Sequence, residues 1–274
     1  MTAQSTTGAA TAKDGCALFY RLYPQVGKPR LALVHSLALD GSIWDNVVHE
    51  LGGEMEILVY DCRGHGQSEK RAGKYSVQLF AEDLAAVMDA CGWKRAFVAG
   101  CSMGGCVAVA FGAAFPQRTE GLALVDTSAW WGETAPQDWQ ARADAAAKDG
   151  LAPMVPIQLG RWFSDEYRQA HPDVIERITR LFLASDVPCY QSSCAMLGAT
   201  DLREAAKSLH DRDPVAIVVG EEDQATPVQM AQTLCDLTPN STLMIIPNGR
   251  HLTPIEFPKE VAGAIRDLVR RARD

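Results

Sequence analysis

Short, continuous apolar runs recur along the chain: Leu31–Val34, Ile57–Tyr60, Ala96–Ala99, Leu122–Val125, Val215–Val219 and Leu243–Ile246. Each is four or five residues without a polar interruption, too short for a core helix and suited to a strand buried on both faces. Between them the period lengthens. Phe80, Leu84, Val87, Met88 and Cys91 recur at helical spacing and stop at Gly92. Val261, Ile265, Leu268 and Val269 do the same after Pro258, a residue suited to a first helical turn. Alternating strands and helices predict an α/β fold with a mostly parallel sheet flanked by helices. The mixed segment Ala17–Tyr23 is expected to add an antiparallel edge.

The rhythm breaks over 129–207, which holds Trp130, Trp131, Trp139 and Trp162 and reads as helices without a strand. This stretch is expected to be a helical cap inserted into a core formed by 14–128 and 208–274. Residues 1–13, rich in Thr, Ala and Ser, are expected to form a disordered leader, since they lack the basic start and apolar stretch of a secretory signal.

Composition narrows the function classes. A net charge of −8 argues against nucleic acid or an anionic membrane as a partner. No apolar run approaches the roughly 18 residues a transmembrane helix needs. The eight cysteines contain no C-x-x-C pair, so neither a metal site nor a disulfide framework is expected, and a reducing cytoplasm is the expected compartment.

Candidate chemistry concentrates in Gly100–Cys101–Ser102–Met103–Gly104, a G-x-S-x-G sequence between an apolar strand and an apolar helix. That context is the one a nucleophile elbow requires, with glycines where a sharp turn leaves no room for side chains. Centring the turn on Cys101 would need glycines where Ala99 and Met103 stand, so Ser102 is the expected nucleophile. A serine hydroxyl needs a base. Of His35, His49, His65, His171, His210 and His251, only the last follows the final strand. His49 and His210 sit in polar surface contexts, His171 in the cap, and His65 in the tight turn Arg63–Gly64–His65–Gly66.

The orienting carboxylate is expected at Asp223, in Gly220–Glu221–Glu222–Asp223 after a strand, with Glu221, Glu222 and Asp126 as alternatives. Two oxyanion donors are expected from the backbone N–H groups of Met103 and of Leu37, in the loop after Leu31–Val34.

Together these pieces resemble the α/β-hydrolase superfamily over nearly the whole chain. The segment Asp61–Ser68 looks like its structural D-x-R-G-H-G-x-S turn. More narrowly, the chain resembles 3-oxoadipate enol-lactonases. That resemblance is carried by Ser36–Leu37 with Trp44–Asp45, Ser102–Met103–Gly104–Gly105, Arg161–Trp162–Phe163, Asp201–Leu202–Arg203 and Ala225–Thr226–Pro227. It implies the opening of a small, carboxylate-bearing enol-lactone of aromatic catabolism without metal or organic cofactor. It also implies Arg161 or Arg203 as a carboxylate anchor and Trp162 as a pocket wall. The chain departs from the lactonases at His35, at Ala38 and in the bulky Trp130–Trp131. Other serine hydrolases of this fold (a carboxylesterase, a carbon–carbon bond hydrolase, a cofactor-free perhydrolase) and a slow-turnover receptor are the alternative readings.

Overall fold

Eight strands form one sheet in the computed structural model, which describes residues 5–209, 213–238 and 240–273. In chain order they are β1 (Thr6–Thr11), β2 (Ala17–Tyr23), β3 (Arg30–Val34), β4 (Glu56–Tyr60), β5 (Ala96–Cys101), β6 (Thr119–Val125), β7 (Val215–Gly220) and β8 (Ser241–Ile246). Across the sheet the order is β1-β2-β4-β3-β5-β6-β7-β8. The pairs from β4 to β8 are parallel, whereas β1 and β2 run antiparallel to their neighbours.

Two expectations at the margins need correction. The segment read as a disordered leader contains β1, which pairs with β2 from Thr6↔Leu22 to Thr11↔Ala17. Its threonines are β-branched and suit an extended strand, and Ala10 and Ala12 are buried beneath it. Consequently β2 is not an edge, because β1 covers one side and β4 the other. The opposite edge is β8, where Ile245 is exposed, so this apolar run is not buried on both faces.

Helices flank the core: α1 (Asp45–Leu51), α2 (Val77–Ala90) and α3 (Met103–Ala114). Between β6 and β7 lie α4 (Ala135–Asp149), α5 (Val155–Trp162), α6 (Asp165–Ala170), α7 (Pro172–Leu183), α8 (Val187–Gly198) and α9 (Arg203–Lys207), followed after β7 by α10 (Val228–Leu237), α11 (Thr253–Glu256) and α12 (Pro258–Arg271). The helical spacings read from the sequence land on the core: Phe80, Leu84, Val87 and Met88 of α2, and Val261, Ile265, Leu268 and Val269 of α12, are buried. Helices α4 and α8 pack closely because Gly198 has no side chain; a Cβ there would stand 3.1 Å from the Trp139 Cβ. Among the described residues no helix is long and apolar enough to cross a membrane.

The chain leaves β3 toward β4 on one side and reaches β5 on the other. This reversal opens a crevice at the carboxyl ends of the strands, where ligands bind in such sheets. The turn after β4 buttresses the crevice. Asp61 accepts from the Gly41 and Gln67 N–H groups, and buried Arg63 pairs with Asp83 at 2.6 Å and Asp14 at 2.8 Å. His65 donates from Nδ1 to the Arg63 carbonyl at 2.9 Å and packs edge-on to His35.

Burial, followed by the facing His35, pushes the His65 imidazole down to about 3. In the unfolded chain it titrates near 6.5. Between those values the unfolded state holds the extra proton, so stability falls as the pH drops through that window. Urea unfolding should lose on the order of 3 kcal/mol between pH 7 and 4 from this group alone. The slope should be shallower in His65→Gln, and equal slopes would remove the assignment.

Candidate active site

Ser102 sits between β5 and α3 with φ 54° and ψ −114°, outside the usual regions for an L-residue. Strain of this kind costs about 1–3 kcal/mol and persists only where the surroundings impose it. Here they do. The Ser102 N–H donates to the Val125 carbonyl at 2.9 Å, and its own carbonyl accepts from Gly105 N–H at 2.9 Å and the Thr127 hydroxyl at 2.6 Å. The flanking glycines are sterically required: a Cβ on Gly100 would lie 2.0 Å from the Gly104 carbonyl oxygen, and one on Gly104 2.2 Å from that of Val34.

This turn lifts the Ser102 hydroxyl to 2.9 Å from His251 Nε2. His251 Nδ1 lies 2.8 Å from Asp223 Oδ2. The Asp223 carboxylate also accepts from the Ala225 N–H at 2.7 Å, the Thr226 N–H at 2.9 Å and the Thr226 hydroxyl at 2.8 Å. Burial alone would raise this carboxyl, yet the facing His251 and the Thr226 donors outweigh it and hold the group below the ordinary carboxylate range. The three side chains, carried just beyond the carboxyl ends of β5, β7 and β8, are thus brought into one hydrogen-bonded line.

The alternative carboxylates are occupied elsewhere. Glu221 accepts from Asn248 N–H, and Glu222 pairs with Arg250. Asp126 is fully buried and accepts from the Gly220 N–H and from both the N–H and hydroxyl of Thr253. Burial, reinforced by the Asp223 charge, pushes its carboxyl well up. Asp126 therefore ties the end of β6 to β7 and to the loop after His251. Cys101 is fully buried, and burial raises its thiol well above the ordinary range, far from a reactive thiolate.

On the other side of the crevice, Leu37 lines the same cavity as Ser102, and Met103 opens α3 directly after it. Neither backbone N–H has a hydrogen-bond partner among the described residues. His35 holds the Leu37 loop in place: Nδ1–H donates to the Ser36 carbonyl at 2.7 Å, and Nε2 accepts from Cys62 N–H at 2.9 Å. Its role is structural, as is that of His65. His49 is exposed on α1, His171 packs against Tyr167 between α6 and α7, and His210 lies outside the described residues.

Above Ser102 lies a cavity of about 450 Å³, bounded by the inserted helices. Arg161 and Trp162 line it; Trp162 is buried and packs edge-on against Phe182. Arg203 does not. It pairs with Asp201 at 2.6 Å, two residues back, and lies over the Trp130 ring at 4.0 Å. A local carboxylate captures it outside the cavity, which removes it as a substrate anchor.

A different arginine takes that place. Arg142 of α4 lines the cavity, donates from Nε to the Tyr190 hydroxyl at 2.5 Å, and lies over the rings of Trp139 and Tyr190. Its terminal Nη groups have no hydrogen-bond partner or ion pair among the described residues. The only sequence signal for it was its helical spacing from Trp139, because Tyr190 is 48 residues away. Among the described residues no group of three or more His, Cys, Asp or Glu is placed to hold a metal ion.

Comparison with known proteins agrees with this fold. A family described as alpha/beta hydrolase fold matches residues 29–258. The chain is 29% identical to 3-oxoadipate enol-lactonase 2 of Acinetobacter baylyi, over 95% of this chain and 96% of that protein. The enol-lactonase of Burkholderia xenovorans superposes with a TM-score of 0.90 at 29% identity, covering 96% of this chain and all of the other. A malate-bound thermophilic esterase from Thermogutta terrifontis superposes at 0.88 with 27% identity, covering 99% of this chain and 100% of that one.

Proposed function

This chain belongs to the α/β-hydrolase fold family, and we propose that it is a serine-dependent carboxylic-ester hydrolase. Its proposed substrate is a small carboxylate-bearing enol-lactone of the 3-oxoadipate type, in the breakdown of aromatic compounds. The observation that carries the reading is the line Ser102–His251–Asp223, at 2.9 and 2.8 Å, beneath a cavity bearing a guanidinium without a carboxylate partner among the described residues.

Ser102 attacks the lactone carbonyl while His251 Nε2 takes its proton, and Asp223 holds Nδ1–H and stabilises the imidazolium. The Met103 and Leu37 N–H groups stabilise the oxyanion. When the intermediate collapses, the ring C–O bond breaks and His251 protonates the departing enol oxygen. The acyl group stays on Ser102, with the former leaving oxygen still tethered to it. Water, deprotonated by His251, then attacks the ester, and Ser102 regains its proton. The helices between β6 and β7 act as a cap that excludes bulk water.

Within the cap, Arg142 is the seat of the substrate carboxylate. Its Nε is fixed by Tyr190, its guanidinium stacks on Trp139, and its Nη groups, without a hydrogen-bond partner among the described residues, are left for a bidentate contact. Arg161, exposed and lining the same cavity, meets the anion on entry, while Trp162 forms a wall. Arg142→Met is expected to raise KM for the anionic lactone about 10- to 100-fold. A neutral aryl ester of similar size should be affected less than about twofold. Equal losses on both substrates would remove Arg142 from this role.

The reading as a whole is tested by comparing kcat/KM across carboxylate-bearing enol-lactones, neutral short esters and vinylogous diketones. Preference for the lactones is expected. Preference for the neutral esters would leave a general esterase, and preference for the diketones a carbon–carbon bond hydrolase. Tight binding without repeated turnover would favour a receptor.

A further inference from the structure

A helix leaves its last carbonyls without partners of its own. At the end of α5 the loop carrying His251 takes all of them. Arg250 Nη1 donates to the Gly160 carbonyl at 2.8 Å and to that of Phe163 at 2.9 Å. The His251 N–H donates to the Arg161 carbonyl at 3.3 Å, and the Leu252 N–H to that of Trp162 at 3.1 Å. Arg250 also pairs with Asp165 at 3.0 Å, at the start of α6, and with Glu222 at 3.4 Å on the core. A second clamp lies just beyond, where the Ser164 N–H and hydroxyl both donate to the Glu256 carboxylate of α11. On its core side the loop is held separately, by the Thr253 N–H on Asp126 and the Glu222 N–H on the Gly249 carbonyl.

We propose that Arg250 is a positioning residue that sets the imidazole of His251 from the cap. The inference rests on His251 acting as the base of Ser102. Core contacts fix the loop at Gly249 and Thr253, on either side of the histidine, while the backbone N–H groups of 251 and 252 both donate to carbonyls of α5. Helix α5 supplies Gln158, Arg161 and Trp162 to the cavity. The wall that faces the proposed substrate and the residue that would move the proton are therefore joined by two backbone bonds and by the Arg250 side chain. On this account α5 is a fixed wall of the site, and any opening of the cap occurs elsewhere, because moving α5 would release the base. A displacement of about 1 Å at a reacting group costs on the order of 100-fold in rate.

The test uses the full chain and a neutral aryl ester, so that carboxylate recognition does not enter. Arg250→Met is expected to lower kcat about 10- to 100-fold with KM changed less than about twofold. The downfield proton resonance of the His251 Nδ1–H bound to Asp223, recorded without substrate, should broaden in the variant. Arg250→Lys, whose ammonium reaches one of the two carbonyls, should recover part of both. Should Arg250→Met fail to fold, Arg250→Gln, which keeps one donor, takes its place with the same two readouts. An unchanged kcat and an unchanged resonance would overturn the inference. So would a lower melting temperature with both readouts intact, because Arg250 would then be structural only. The hydrolase reading fails differently, through turnover that survives Ser102→Ala.

Discussion

Ser102→Ala should retain the fold and lose about 10⁶-fold in kcat on the lactone. The Ser102 side chain makes its hydrogen bond to His251 and does not cap α3, so no structural contact depends on the hydroxyl. Its unusual backbone is imposed by the Val125, Gly105 and Thr127 contacts, all to main-chain atoms that alanine keeps. The melting temperature should therefore barely move while turnover disappears. Cys101 cannot take over, since its sulfur is fully buried and its thiol is held protonated. Residual rate comes from the oxyanion donors and binding alone, roughly 10³–10⁴ over water in a comparable triad. A fall smaller than tenfold would mean that the reaction does not pass through this hydroxyl.

Asp223→Asn is expected to lower kcat about 10⁴-fold, by reversing a tautomer rather than by disturbing the structure. Oδ1 of Asp223 receives the backbone N–H groups of Ala225 and Thr226. An asparagine must leave its carbonyl oxygen there, because an amide NH₂ cannot face two donors. The NH₂ then occupies the Oδ2 position, opposite His251 Nδ1 and the Thr226 hydroxyl. Imidazole answers by accepting at Nδ1 and carrying its proton on Nε2, which points at Ser102 and can no longer take a proton from it. Asp126 offers no rescue, with its oxygens committed to Gly220 and Thr253. Steady-state kinetics on the lactone and on a neutral ester should show the same loss, since the defect lies in the base. A loss confined to one substrate would contradict this account.

How far the sequence carried the structure depends on the range of each interaction. Apolar runs became strands because burial on both faces leaves a local mark. The elbow was legible for a harder reason: Gly100 and Gly104 stand where a Cβ would meet backbone at 2.0 and 2.2 Å, so the turn dictates its own residues. Elements whose identity depends on a distant partner were not legible. Strand β1 is built of Thr, Gly and Ala without a large apolar residue, and it exists because β2 offers it an edge. Ile245 reads as core, yet β8 has no neighbour beyond it in the sheet. Arg203 and Arg142 look alike in sequence. One is captured by Asp201 two residues away, whereas the other reaches Tyr190 across two packed helices and faces the cavity. Arg250 is a single basic residue in a loop, and its contacts on α5 and α6 lie 85 to 90 residues back along the chain.

The central claim is that one serine, Ser102, carries the acyl group of a small anionic lactone. Labelling with diisopropyl fluorophosphate, followed by peptide mass determination, tests it most directly. The account predicts one label per chain, on Ser102, with lactone hydrolysis lost in proportion and the lactone itself slowing the labelling. A label on another residue, or undiminished lactone turnover in fully labelled protein, would contradict it.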